Sequence, residues 1–357
     1  MRFAFTEDQL AFRDAVADLL AKECPPEVVR AAWPAGTDLH GARKGEGARA
    51  DADRLAKVWS DLAEMGVLGI GVSEANGGLG MAETDWILLA EETGYAALPH
   101  PFVETACVVA PLLDDVDDPH GVLGELVDGS RQAGAIALNG SLVPWGDAVT
   151  YLVTVDRRGS DGWVVRRIEG GLAVGDTADQ RRTLADAVDA GRRVVRLGAW
   201  RSDAGFALGT IAERAFDRGA LGTAAQLVGL SRRMLDLTVA YASERKQFGV
   251  AIGSQQAVKH HLADAAMAVR FAAPVVYAAA WELATGQPTA GRTVSTAKAL
   301  ASDAARLTAR QALQCHGAIG YTVEYDLHLY LKRAEALSRT WGDASWHRRR
   351  VAAALGI

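Results

Sequence analysis

Cysteine is scarce. The 357-residue chain has three, Cys24, Cys107 and Cys315, far apart, odd in number and without a CxxC pair. Such a set suggests neither a zinc site nor a disulfide framework, and it suits a reducing, cytoplasmic setting. Positive charge is not in excess either. A formal net charge of -6 and a pI near 5.8 argue against a general nucleic-acid binder, because phosphate contacts call for a basic face. Any phosphate site must therefore be local. No apolar run approaches a membrane span, and Met1-Arg2-Phe3-Ala4-Phe5 leads into Glu7 and Asp8 instead of the apolar stretch of a secretion signal. A soluble, unexported protein is expected. What the chain does have is apolar content, 49% of its residues, enough for two or three domains with their own cores.

The first of these reads as helical. Thr6 and Gln9 form a capping box, with Phe5 and Leu10 placed as its staple, and Leu10, Val16, Leu19 and Leu20 keep one face inward until Cys24-Pro25-Pro26. Residues 31–50, rich in Ala, Gly and Arg and containing Pro34, are expected to be a mobile loop. Helical spacing resumes at Leu55, Val58, Trp59, Leu62 and Met65 and stops at Gly66, and a further helix runs from Glu83 to Thr93. Between them, Gly69 to Gly80 is glycine-rich, but its spacing and lack of a βαβ context exclude a dinucleotide fingerprint.

From about Ala133 the pattern changes to short β-rich runs, Ala135-Ile136-Ala137-Leu138, Val149 to Val155, Trp163-Val164-Val165 and Arg193 to Leu197, broken by turns such as Arg158-Gly159-Ser160-Asp161-Gly162. From Gly222 onward helices return. Four are expected: one through Leu227, Leu230, Met234, Leu237 and Tyr241; one through Val258 to Leu283 with Pro274 inside; one from Thr293 to Cys315; and one from Asp326 to the end. The organisation is α+β: an all-helical unit (1–125), a small, shortened β domain (126–217) and a four-helix bundle (218–357).

One stretch of the bundle carries chemistry. Tyr241-Ala242-Ser243-Glu244-Arg245-Lys246-Gln247-Phe248-Gly249 puts an arginine, an aromatic and a glycine at a helix end, with Gln256 following, and Gln314-Cys315-His316-Gly317-Ala318-Ile319-Gly320-Tyr321 ends a later helix. A guanidinium can pair bidentately with a diphosphate, an aromatic can stack on its ligand, and glycines permit close backbone approach. His260-His261 point to different helix faces and suggest no metal site, and Arg348-Arg349-Arg350 read as dipole compensation.

The order of the three units, Ser73 to Gly80 in the first, and the two stretches just quoted resemble the acyl-CoA dehydrogenase family along nearly the whole chain. The resemblance implies FAD, with E-R-x-x-F-G…Q and Q-x-x-G-x-x-G gripping the pyrophosphate and adenosine end of a flavin held mainly by the neighbouring subunit. It assigns Arg245 to the pyrophosphate, Phe248 and Gln256 to adenosine-side contacts, and Gln314 and Gly317 to close backbone approach.

The rest of the family pattern is missing. The T-E-P-x-x-G-S-D segment that cradles the flavin ring has no counterpart, since Ala135-Ile136-Ala137-Leu138 runs directly into Asn139-Gly140-Ser141; Trp145 stands in for the later loop tryptophan or is a core residue. The family's usual catalytic glutamate falls at Trp341, its alternative placement falls near Gly219, and neither residue accepts a proton. Asp343 is the remaining carboxylate nearby, read as a helix N-cap or a displaced base. The half-site offered to a neighbour is kept, while the half serving the chain's own flavin is lost. By resemblance, this is the non-catalytic subunit of an α2β2 acyl-CoA dehydrogenase such as those of steroid side-chain catabolism. A homologous catalytic partner would bind most of the acyl-CoA, and an electron-transfer flavoprotein would be the acceptor. The alternatives are a homomeric dehydrogenase or oxidase using Asp343 or Glu324, and a non-enzymatic scaffold.

Overall fold

The computed structural model describes residues 4–33, 46–158, 162–169, 182–184, 187–197, 201–202 and 205–357. The Thr6 hydroxyl accepts from Gln9 N while the Gln9 side chain accepts from Thr6 N at 2.8 Å, so helix α1 (Glu7–Glu23) starts on the expected capping box. It ends at Cys24 ahead of the prolines, and α2 (Pro26–Ala31) follows at once. Most of the loop expected over 31–50 lies outside the described residues, as do residues 159–161 of the expected β-turn. Helix α3 (Glu46–Glu64) already occupies the loop's far end. Helices α4 (Glu83–Tyr95), α5 (Ala110–Asp115) and α6 (Leu123–Val127) complete this unit, α5 continuing from a π-helical turn at Val103–Val109.

The middle region is a sheet in the order β1 (Ala133–Ala137), β3 (Tyr151–Arg158), β4 (Gly162–Glu169) and β7 (Arg201–Ser202), with β8 (Ala207–Leu208) also on β4. Strands β1 and β3 run parallel, because β2 (Leu142–Val143) leaves between them to form a second sheet with β6 (Val195–Leu197) and β5 (Arg182–Leu184).

Helix α7 (Gly209–Glu244) begins directly after β8, well before Gly222, and is the axis of the molecule. A methyl group at Gly229 would sit 1.9 Å from the Glu91 carbonyl oxygen, and one at Gly94 would sit 2.2 Å from that of Gln226. Helices α4 and α7 thus touch backbone to backbone, which only glycine permits at the two contact points. After α7 come a short hairpin of β9 (Lys246–Gln247) and β10 (Val250–Ala251), then α8 (Gln256–Ala284) and α9 (Ala290–His316). The expected fourth helix is two, α10 (Leu327–Arg339) and α11 (Ala344–Leu355), because Trp341 and Gly342 adopt positive φ (59° and 92°) and end the helical path. The terminal arginines also differ from expectation. Arg350 pairs with Asp217 and with Glu213 (2.8 Å) on α7, and Arg348 pairs with Asp303, so they tie helices together instead of offsetting a dipole. Among the described residues no cluster of ligating side chains suits a metal.

Candidate functional site

The exposed edge is built by two helix ends. The Arg245 amide donates to Tyr241 O at 2.8 Å, the last such bond of α7, and Arg245 itself is extended, so the chain leaves the helix straight into the β9–β10 hairpin. Its two tip residues, Phe248 and Gly249, have φ of 53° and 82°, as a tight two-residue hairpin turn requires. The geometry is costly for phenylalanine and leaves its ring 97% exposed. Ile252 N donates to Arg245 O at 2.8 Å and closes the hairpin at its base. The Arg245 side chain is exposed and has no ion-pair partner among the described residues. Gln256, also exposed, is the first residue of α8.

At the other helix end, Gln314 lies exposed in the last turn of α9, and Gly317 turns the chain at φ 65° and ψ −140°, a region that disfavours any side chain. A 3-10 turn (Gly317–Tyr321) follows and leaves Tyr321 76% exposed. The two ends meet through aromatic rings: His316 stacks on Tyr241 with centroids 4.4 Å apart, and Tyr325 packs on both. The sequence sets these segments 65 residues apart; the fold puts Tyr241, the first residue of one, against His316, the third of the other.

The inward-facing side is built around an indole. Trp341, 3% exposed, sits in the turn between α10 and α11, and its indole lies on the first third of α7, where a methyl group at Gly219 would be 2.4 Å from its Cδ2 and Cε2. Trp341 also packs edge-on against Phe216, while its indole N–H has no hydrogen-bond acceptor among the described residues. The turn is clamped from below. Buried Lys298 donates to Ser338 O (3.2 Å) and Gly342 O (3.1 Å), and His347 donates to Trp341 O (2.9 Å). Burial pulls Lys298 down to about 7; it also pulls His347 down to about 3, with the nearby Lys298 charge acting in the same direction. The Asp343 carboxylate accepts from Trp346 N at 2.7 Å and caps α11, so the cap reading holds. Glu324 is exposed.

Beside this turn lies a cavity of about 830 Å³, lined by Ala135 to Leu142 on one wall and by Trp341, Gly342 and Trp346 on the other. Trp145 is buried in the second sheet's core beneath the Arg192 guanidinium, 4.9 Å away, and is a packing residue. The Lys298 clamp escaped the sequence reading; the one signal for it was a lysine set among small residues in Ser295 to Ser302.

Residues 6–116 match the acyl-CoA dehydrogenase N-terminal domain and residues 208–356 the acyl-CoA dehydrogenase C-terminal domain. The acyl-CoA dehydrogenase IpdE2 of Mycolicibacterium smegmatis is 31% identical over 350 residues, 98% of this chain and 99% of that protein. The chain belongs to the acyl-CoA dehydrogenase family. FadE34 of Mycobacterium tuberculosis, an acyl-CoA dehydrogenase, is 35% identical over 312 residues, 85% of this chain but 42% of that longer protein. Among solved structures, the ChsE4-ChsE5 complex of Mycobacterium tuberculosis superposes with a TM-score of 0.79 at 21% identity, covering 100% of this chain and 99% of that one. The Tcur3481-Tcur3483 steroid acyl-CoA dehydrogenase variant gives 0.78 at 22% identity over 98% of each chain. Butyryl-CoA dehydrogenase of Megasphaera elsdenii gives 0.77 at 20% identity, covering 100% of each. These likenesses confirm the expected architecture of a helical unit, small sheets and a helical C-terminal unit. The FAD expected of an acyl-CoA dehydrogenase fits the exposed edge, where a guanidinium with no ion-pair partner among the described residues and open space beside Gly317 suit a diphosphate. It fits the inner side poorly, where buried Trp341 lies on Gly219 and neither residue can accept a proton.

Proposed function

We propose that this chain is the non-catalytic subunit of a hetero-oligomeric, flavin-dependent acyl-CoA dehydrogenase, with an α2β2 assembly as the arrangement that serves it. The observation that carries the reading is the Trp341–Gly219 contact. Both positions at which the family places its carboxylate are occupied by one interlocked pair without a proton acceptor, while Arg245 and Phe248 stay exposed at the edge. In this reading a homologous partner binds the acyl-CoA and holds the base that removes the α-proton. FAD, when bound, supplies the hydride acceptor for the β-carbon. This chain's residues position: Arg245 pairs with the pyrophosphate, Phe248 and Gln256 cover the adenosine side, and Gln314 and Gly317 admit the ligand to the backbone.

Three further observations support the reading. Two of the similar structures are described as pairs of unlike chains, and one of them as a steroid enzyme, which favours a lipid or steroid acyl-CoA as substrate. Helix α8 is apolar and long enough to cross a membrane by length and composition, yet only 28% of its most apolar stretch is buried. Since α8 packs along α7 and α9, its uncovered face with Met267, Phe271 (75% exposed) and Trp281 suits a protein partner better than lipid. A homomeric enzyme would need Asp343 or Glu324 as base, and the first is engaged as a cap. An electron-transfer flavoprotein as acceptor and a cytoplasmic location complete the proposal.

Co-expression with the homologous partner, followed by flavin quantitation and a CoA-ester screen, is the test. The isolated chain is expected to be colourless and inactive, and the complex to carry about one FAD per pair. Stoichiometric FAD and turnover by the isolated chain would sink the proposal. Within the complex, Arg245→Ala removes a charge-assisted bond to phosphate worth about 1.5–3 kcal/mol, so FAD affinity should fall by roughly 10- to 150-fold. Unchanged FAD content and activity in that variant would instead favour a scaffold role.

A further inference from the structure

The ring of His316 is 4% exposed and joins the two helix ends that make the edge, stacking on Tyr241 of α7 while Tyr325 packs across it. Its Nδ1–H donates to Ala312 O at 2.8 Å, one turn back in α9, and its Nε2 is buried without a hydrogen-bond partner among the described residues. In this neutral tautomer the bare Nε2 is a tolerable loss. A second proton would place a charge and an unmet N–H donor in the same spot, a far larger cost. Among the described residues, Tyr241 of α7 and Tyr325 from the segment before α10 face the ring, Cys315 precedes it on its own helix, and Glu244, Asp326 and Arg233 lie beyond, around Tyr325. None of them hydrogen-bonds to it among the described residues, and burial pulls its pKa below the ordinary imidazole value.

We propose that neutral His316 is the joint that holds the Arg245 segment against the Gln314–Gly317 turn, so that the chain's half of the nucleotide site comes apart in acid. His316 is a positioning residue, and the proposal rests on the FAD-edge reading only for its consequence on cofactor binding. The direction follows from the burial. A histidine whose folded pKa is depressed contributes its full share above the ordinary value, and that share is lost as pH falls below it toward the folded value. FAD retention by the complex should therefore weaken by up to about tenfold for each pH unit in that window.

Hydrogen exchange on the isolated chain and on the complex, at pH 7.5 and 5.5 with intrinsic rates corrected, is the first measurement. Segments 241–249 and 313–321 should lose protection together in the wild type and stay flat in His316→Phe, and FAD loss should follow the same pattern. A wild-type response matched by His316→Phe, or one confined to a single segment, overturns the joint. A complex without FAD at any pH would refute the edge reading, while exchange in the isolated chain still decides this proposal. Because the variant risks loosening the end of α9, the wild-type imidazole is also followed by NMR. Titration below the ordinary imidazole value, in step with the exchange, supports the joint; titration at or above that value overturns it.

Discussion

At the scale of single residues, Gly219 and Trp341 behave as one unit. A methyl group at position 219 would overlap the indole, so Gly219→Ala should destabilise by about 1–3 kcal/mol and lower Tm by several degrees, read by calorimetry. Trp341→Glu is the more instructive change. It puts a carboxylate where the family resemblance places the base, yet leaves the space of a large ring empty beside Phe216. The isolated variant should be less stable and still fail to bleach FAD with any CoA ester; turnover by it would show that the missing base alone had silenced the chain. Neither residue was obscure in the sequence, since the family pattern pointed to both. Their contact was invisible there, because nothing in the 121 intervening residues states that a turn will close on the first third of α7.

At the scale of elements, the hairpin between α7 and α8 is the best test of the exposed edge. Phe248 touches little else in the chain, so Phe248→Ser should leave stability within about 0.5 kcal/mol and weaken association with the partner, measured by titration calorimetry. Equal affinity would remove the tip from the interface. Elements with strong local signals were legible: the Thr6 capping box, the proline stop after Cys24 and the glycine stop at Gly66 all stand where residue chemistry placed them. Starts and breaks set by tertiary packing were not. Helix α7 begins at Gly209 because β8 delivers it onto the sheet, and the last helix divides at Trp341 because that side chain has to turn inward. The exposed edge was legible as residue types, Arg245, Phe248, Gln256, Gln314 and Gly317, but the His316–Tyr241 contact that unites it needs the folded chain.

At the scale of the whole molecule, burial is uneven. The α4–α7 core is packed to backbone contact, whereas α8 and the hairpin tip leave large apolar side chains in water. Such a surface predicts that the chain made alone is poorly soluble and that co-production with its partner rescues it, read by sedimentation of the two preparations. The Trp341–Gly219 lock adds a historical dimension to this dependence. Enlarging Gly219 first creates a clash, and shrinking Trp341 first leaves a void, so each route back to an autonomous enzyme begins downhill in stability. On the proposed hetero-oligomeric reading, Trp341 seated on Gly219 acts as a ratchet: no single substitution at either position releases the chain from its partner.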